Sequence, residues 1–197
     1  MRKATPHPGW LAAPARGTLT IVAAPSIRAA VPEDAEEVER LRVAGWQAAY
    51  RGIIPDGFLD RMRVDGERRR RLMIGRAAAL PDGAVESVAV QGSAIVGWVA
   101  GGRCRDADRT GPRQGEVYVI YVLPEWWGRG AGRLLMAHVA RALAEAGLDD
   151  ITLWVLEGNQ RARRFYESAG FRLDGARQEI DLDGPVTELR YQLFTGS

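Results

Sequence analysis

Four consecutive signals between residues 115 and 156 constrain this chain most. Gly115 to Val122, GEVYVIYV, is β-branched or aromatic at most positions and apolar on both faces, which predicts a central strand. Pro124 to Gly132 is a short loop with Gly128, Gly130 and Gly132 at alternate positions. A helix follows to about Ala146, with Leu135, Val139 and Leu143 at every fourth residue and Gly147 as its stop. Asp150 to Leu156 is a second buried strand. Two strands joined by a helical crossover run parallel, and the connection is expected to be right-handed. The fold class is therefore α/β.

The glycine loop has a chemical reading. Glycines take positive φ and let the backbone approach a ligand closely. The helix starting near Gly130 points unpaired N–H groups and its positive dipole end at the same place, which suits a pyrophosphate. Arg129 and Arg133 add charge at the rim. The plainer reading is a turn that leads a strand into a helix, but three alternating glycines exceed that need. A P-loop requires Gly-Lys-Ser/Thr, and the single lysine among 27 basic residues is Lys3, near the N-terminus. That also disfavours Schiff-base chemistry. A dinucleotide fingerprint requires G-x-G-x-x-G, whereas the spacing here is G-x-G-x-G followed by Arg133. Leu123 to Trp127 also make the turn too long for that motif, although Glu157 is placed to mimic its ribose-binding acid.

Around this unit lie other elements. Ser26 to Ala30 reads as a strand, and Pro32 with the acids that follow starts a helix running to Tyr50. A second helix is expected from Phe58 to Arg76, carrying Arg68 to Arg71 as a solvated face. Pro81-Asp82-Gly83 reads as a turn, and Ser87–Val90 with Ala94–Ala100 as a hairpin. Asn159 to Ala169 is helical; Phe171–Leu173, Glu179–Leu182 and Val186–Phe194 are strands. Residues 1–25, with four prolines, read as an N-terminal extension in which Thr18 to Val22 allows a short strand. The remaining 26–197 reads as one domain. No apolar run is long enough to span a membrane, and prolines interrupt any signal-peptide core, so the default compartment is the cytoplasm. Cys104 stands alone, and His7 and His138 are far apart, which leaves no disulfide and no metal-ligand pattern. A net charge of +2 argues only weakly for nucleic acid, and no aromatic–basic platform accompanies it.

The segment Tyr121 to Leu135, YVLPEWWGRGAGRLL, resembles the acyl-CoA loop of the GNAT N-acetyltransferase superfamily. That family's pattern is Gln/Arg-x-x-Gly-x-Gly/Ala after a central strand. Gly130 and Gly132 match, and Trp127 replaces the usual Gln or Arg. Downstream, Asn159 to Phe171 resembles the family's N-x-x-A-x-x-F-Y-x-x-x-G-F segment. The likeness extends over about residues 26–194, with Ile27 to Ala30 and Trp46 to Pro55 resembling the first strand and helices.

The resemblance implies a single domain with a twisted, mixed sheet of six to seven strands, helices on both faces, and a splayed central parallel pair. It implies transfer of an acetyl group from acetyl-CoA, as cosubstrate and without a metal, to a primary amine on a small molecule or protein. Neither nucleic acid nor membrane is an expected partner, and the oligomeric state stays open, dimers being common in the family. Backbone groups of Tyr121, Val122 and Leu123 are expected to pair with pantetheine. Trp127, Gly128, Arg129, Gly130, Ala131, Gly132 and Arg133 are expected around the pyrophosphate, and Asn159 on pantetheine while also capping its helix. Glu116 is the expected general base, unless it is a strand-end carboxylate paired with arginine. Glu157 ranks behind it. The Val122 amide is the expected oxyanion donor, and Tyr166 the general acid unless it only packs beside Phe165. Trp46 and Tyr50 either line the acceptor pocket or fill the core. The rival reading is a non-catalytic acyl-CoA-binding module.

Overall fold

The computed structural model describes residues 24–79 and 83–195. Nearly all of the expected extension, its strand at Thr18 to Val22, and Pro81 and Asp82 of the expected turn lie outside the described residues. Seven strands form one mixed sheet in the order β1-β2-β3-β4-β5-β7-β6. They are β1 (Ser26–Ala29), β2 (Val85–Gln91), β3 (Ala94–Arg103), β4 (Gln114–Val122), β5 (Asp150–Leu156), β6 (Arg172–Asp181) and β7 (Pro185–Phe194). The helices are α1 (Ala35–Ala49), α2 (Asp56–Arg61), α3 (Gly66–Ala79), α4 (Ala131–Glu145) and α5 (Gln160–Ser168).

Strand alternation sorts the core into layers on the two faces of the sheet. Val88 and Trp98 pack with Val38 and Leu41 of α1. Their neighbours Ala89 and Val99 pack on the other face with Leu135, Val139 and Leu143 of α4. The every-fourth-residue leucine and valine stripe of α4 is thus the seam against the sheet.

Helix and strand boundaries depart from expectation in three places, the first being β3, which runs on past Ala100 to Arg103 through residues that read as the start of a loop. The helix expected over Phe58 to Arg76 is two helices. The chain turns extended at Met62, and Asp65 Oδ1 accepts the Arg68 N–H at 2.8 Å to restart it as α3. The two short strands expected after Phe171 are one strand, β6, whose register against β7 shifts between Leu173 and Arg177.

The feature that positions the site is the junction of β4 and β5. They pair in parallel over only Gln114–Glu116 with Asp150–Thr152, whereas β4 pairs with β3 as far as Val122 and β5 pairs with β7 throughout. The cause lies on the other side of β4. Ala100 pairs with Val119 and Gly101 with Val117, which leaves Tyr118 as an extra residue. Such a bulge bends its strand and raises its twist. It falls immediately past Glu116, where the β4–β5 pairing stops. Gly101 and Gly102 make it possible: a Cβ on Gly101 would lie 2.9 Å from the Glu116 carbonyl oxygen, and one on Gly102 would lie 2.6 Å from the Tyr118 hydroxyl.

Candidate active site

The parted strands open a cleft of about 370 Å³. Ile120, Tyr121 and Val122 of β4 form one wall, and Trp154, Val155 and Leu156 of β5 the other. Tyr50 at the end of α1 and Glu188 of β7 close one side; the glycine loop and α5 close the opposite side.

The loop is built as the glycine spacing suggests. Gly128 and Gly130 have φ of +76° and +92°, where any side chain would be strained, and no atom lies within 4 Å of where their Cβ atoms would be. Gly130 is the N-cap of α4, and Ala131, Gly132 and Arg133 form its first turn. Gly132 faces α5, where a Cβ would meet the Phe165 ring at an ordinary contact distance of 3.4 Å. Trp127 points inward: its indole N–H donates to the Val122 carbonyl at 2.8 Å. Arg161 of α5 lays its guanidinium 3.9 Å from the centre of the Trp127 ring and also lines the cleft. Arg129, Arg133 and Arg161 form no salt bridge among the described residues, although most other arginines near an acid do.

Backbone direction within β4 sorts the three residues expected to face a ligand. The Leu123 N–H bonds to the Val96 carbonyl at 3.0 Å. Alternation then turns the Tyr121 backbone toward β3 as well, and sends the Ile120 and Val122 backbone into the gap. Ile120, which motif reading passed over, therefore takes the place expected of Tyr121 and Leu123. Asn159 caps α5, its Oδ1 accepting the Ala162 N–H at 3.1 Å, while it also lines the cleft.

Tyr166 is 9% exposed and packs against Phe165, Phe171 and Tyr191, so it is a core aromatic. It also lines the cleft, and its hydroxyl makes no hydrogen bond among the described residues. Burial, with Tyr121 nearby, pushes that hydroxyl well above the usual phenol range, so it stays protonated. Trp46 does not line the cleft. Its indole N–H donates to the Tyr121 hydroxyl at 2.6 Å and its ring meets Tyr50 edge-on, so it braces two residues that do.

Glu116 needs correcting as a free base. It is 3% exposed, lies outside the cleft lining, and its carboxylate takes both the side chain and the backbone N–H of Arg105. Three Arg105 donors leave that carboxylate about one acceptor position, and it does not face the cleft. Glu157 is exposed and faces Arg177. The acid that does reach the cleft is Glu188, missed because nothing in its local sequence marks it. Its carboxylate accepts from the Gln178 amide at 2.8 Å and forms no salt bridge among the described residues. Burial, together with the charge of Glu116, raises its pKa above the ordinary carboxylate value despite that hydrogen bond.

The arginine run also needs correcting. Arg69 is buried, bonded to Glu39 at 2.8 and 3.0 Å and set 4.9 Å over the Trp98 ring, while Arg42 holds the same carboxylate. His138 is a structural partner of Ser87 at 3.0 Å. Among the described residues, no three His, Cys, Asp or Glu side chains gather as a metal site, and no helix is long and apolar enough to cross a membrane.

A sheet parted at its parallel pair, with a glycine-rich helix start at one mouth, defines an α/β domain suited to an extended ligand bearing a diphosphate. Residues 58–171 match the Acetyltransferase (GNAT) family, and the chain belongs to that family. It is 29% identical over 137 residues to YuaI, an uncharacterized N-acetyltransferase of Bacillus subtilis (strain 168), covering 68% of this chain and 73% of that protein. It is 49% identical over 59 residues to the mycothiol acetyltransferase of Nocardiopsis dassonvillei, a match over 30% of this chain but only 18% of that protein's length. Among solved structures it superposes on YncA of Salmonella typhimurium with acetyl-CoA, at a TM-score of 0.68, 20% identity, and coverage of 89% and 96%. It also superposes on the PaiA N-acetyltransferase of Thermoplasma acidophilum with coenzyme A, at a TM-score of 0.67, 18% identity, and coverage of 85% and 98%.

Proposed function

We propose that residues 26–197 form a catalytic domain, with 1–25 as an extension, that transfers the acetyl group of acetyl-CoA to a primary amine. The observation that carries this is the through-sheet cleft. It has a glycine-rich helix start at one mouth, and its lining includes a neutral phenol, Tyr166, and a carboxylate, Glu188, that forms no salt bridge among the described residues.

In this reading the pyrophosphate rests on the amides of Gly128 to Arg133, with Arg129, Arg133 and Arg161 around it. Pantetheine lies along the open edge of β4, meeting Ile120 and Val122, and reaches Asn159. The amine nitrogen attacks the thioester carbon, and the carbonyl oxygen takes up the displaced electron pair. The Val122 N–H holds that oxyanion. Its collapse breaks the C–S bond. Glu188 passes the first ammonium proton to solvent and is ionised again when the tetrahedral nitrogen gives up its second through water. The departing sulfur takes a proton from Tyr166, which is reprotonated from Glu188, giving the amide and free CoA thiol.

A lysine-like amine of pKa about 10.4 costs ~4.6 kcal/mol to deprotonate at pH 7. Glu188 offsets part of this, and a dry aromatic wall favours the neutral pair of acid and amine over the charged one. The reading carries a cytoplasmic setting, which the lone thiol of Cys104 suits.

Calorimetry with acetyl-CoA and thiol release in the presence of an amine panel test this together. Binding with thiol release supports it. Binding without release from any amine would reduce the protein to an acyl-CoA-binding module.

A further inference from the structure

Charge is distributed unequally between the two sides of the cleft. On the side of the glycine loop and α5, Arg129, Arg133 and Arg161 lack carboxylate partners among the described residues. On the side of α1, the arginines near the wall are bonded to carboxylates among the described residues, with one positive charge left over where two of them share one acid. Arg105 is held by Glu116, and Arg42 and Arg69 share Glu39. Arg190 is 5% exposed and bonds three carboxylates at once, those of Asp106, Asp108 and Asp174. It also lies 5.4 Å over the ring of Trp154, whose indole N–H donates to Asp106. That wall therefore has more negative than positive charge. Among the described residues, Glu188 is the one acid that lines the cleft, and it forms no salt bridge; Tyr50, Tyr121 and Trp154 line the cleft with it.

We propose that the acceptor is a cationic primary amine whose neighbouring carbon bears no carboxylate, and that free amino acids are rejected. The proposal rests on the acetyl-transfer reading above. An ammonium group entering from the α1 side finds one carboxylate, that of Glu188, which forms no salt bridge among the described residues, in a cleft also lined by Tyr50, Tyr121 and Trp154. A carboxylate on the adjacent carbon would enter the same space, where among the described residues no arginine of the α1 side lines the cleft, and would lie against Glu188. An uncompensated like charge in a desolvated site is strongly disfavoured. Amide-linked or decarboxylated versions of the same molecule carry the same amine without that charge. Two sources satisfy this chemistry: a small arylalkylamine and the N-terminus of a peptide.

The test compares matched acceptors on the intact protein with saturating acetyl-CoA: tyramine, tyrosinamide, the peptide Tyr-Ala-Ala and free tyrosine, with tryptamine and tryptophan as a second pair. Thiol release gives kcat/KM for each. The expected result is a kcat/KM at least about 100-fold higher for the carboxylate-free members, the scale of like-charge repulsion in a dry site. Use of the peptide but not tyramine identifies a chain N-terminus as the source, and the reverse identifies a small amine. Tyrosine acetylated within a few-fold of tyramine overturns the proposal. So does a protein that binds acetyl-CoA by calorimetry yet acetylates no carboxylate-free amine in the panel. Failure to bind acetyl-CoA at all strikes the underlying reading, and the proposal falls with it.

Discussion

Replacing Arg161 by glutamine tests whether the stacked guanidinium on α5 supplies charge to the diphosphate end of the cleft. The side chain is exposed, lies 3.9 Å from the Trp127 ring centre, and has no carboxylate to neutralise it among the described residues. Its contribution is bounded from two sides. A charge-assisted hydrogen bond to phosphate is worth ~1.5–3 kcal/mol, and an exposed ion pair only ~0.2–1 kcal/mol. Stacking on Trp127 orients the guanidinium before ligand arrives, which lowers the ordering cost and places the effect between these limits. A loss of ~1–2 kcal/mol corresponds to roughly 5- to 30-fold weaker binding. The assay is calorimetric titration of wild type and Arg161→Gln with CoA at low and high salt, and with pantetheine as a phosphate-free ligand. The expected pattern is a weaker CoA complex, a smaller salt dependence and unchanged pantetheine binding. Trp127→Leu is expected to weaken CoA comparably, and adding Arg161→Gln to it is expected to cost little more, because the arginine has already lost its platform. A change below twofold for CoA at low salt, or an equal loss for pantetheine, refutes the reasoning.

Three other outcomes follow from the same geometry. Glu188→Gln is expected to lower kcat by about 100-fold or more, the usual weight of a general base, and yet to raise the melting temperature near pH 7. The sign follows from its raised pKa. The folded state binds this proton more tightly than the unfolded chain, so stability falls as pH rises from the ordinary carboxylate value through the raised one. The gain is expected to vanish in acid, and a variant that is active or less stable at neutral pH contradicts it. Tyr166→Phe is expected to keep acetyl-CoA affinity within a few-fold while kcat falls by ~10²-fold or more, and undiminished turnover at saturating acetyl-CoA removes Tyr166 from the mechanism. Arg69→Leu breaks a buried ion pair; such losses cost ~3–5 kcal/mol, and Arg42 keeps Glu39 partly satisfied, so about 3 kcal/mol is expected in urea denaturation. A cost under about 1 kcal/mol shows the pair to be dispensable.

What the sequence made legible was whatever local spacing determines. The strand at Gly115, the alternating glycines, the four-residue stripe of α4 and the asparagine cap of α5 each depend on neighbours within a turn or two, and each stands where the spacing puts it. What escaped depended on partners distant in the chain. Gly101-Gly102 reads as the start of a loop, but becomes a bulge site once β4 lies alongside with Tyr118 to spare. Glu116 and Glu188 look alike in sequence, each a carboxylate within an alternating strand. Only packing distinguishes them: Arg105 folds back across 11 positions to take Glu116, while Glu188 pairs across to Leu156 at the edge of the gap. Arg69 was similarly hidden in a run of four arginines, because which one of them faces α1 depends on how the helix is docked.

The bulge, the cleft and the charge pattern are consequences of one another. An uninterrupted parallel sheet would present hydrogen-bonded backbone between β4 and β5 and leave no passage between its faces. By taking up an extra residue at Tyr118, β4 keeps its pairing to β3 on one edge and releases the other edge beyond Glu116. The released edge turns the Ile120 and Val122 amides toward the gap, where a ligand can pair with them as a strand would. The passage then joins two faces that the fold has charged differently. Arginines without a carboxylate partner among the described residues stand where the dipole of α4 is already positive, and surplus carboxylates stand around β7. An anionic donor and a cationic acceptor drawn from opposite faces would meet at the level of Tyr166 and Glu188. One of these groups is held protonated by burial, and the other holds a proton more tightly than an ordinary carboxylate does. A reaction that moves one proton from nitrogen to sulfur calls for that pairing of environments.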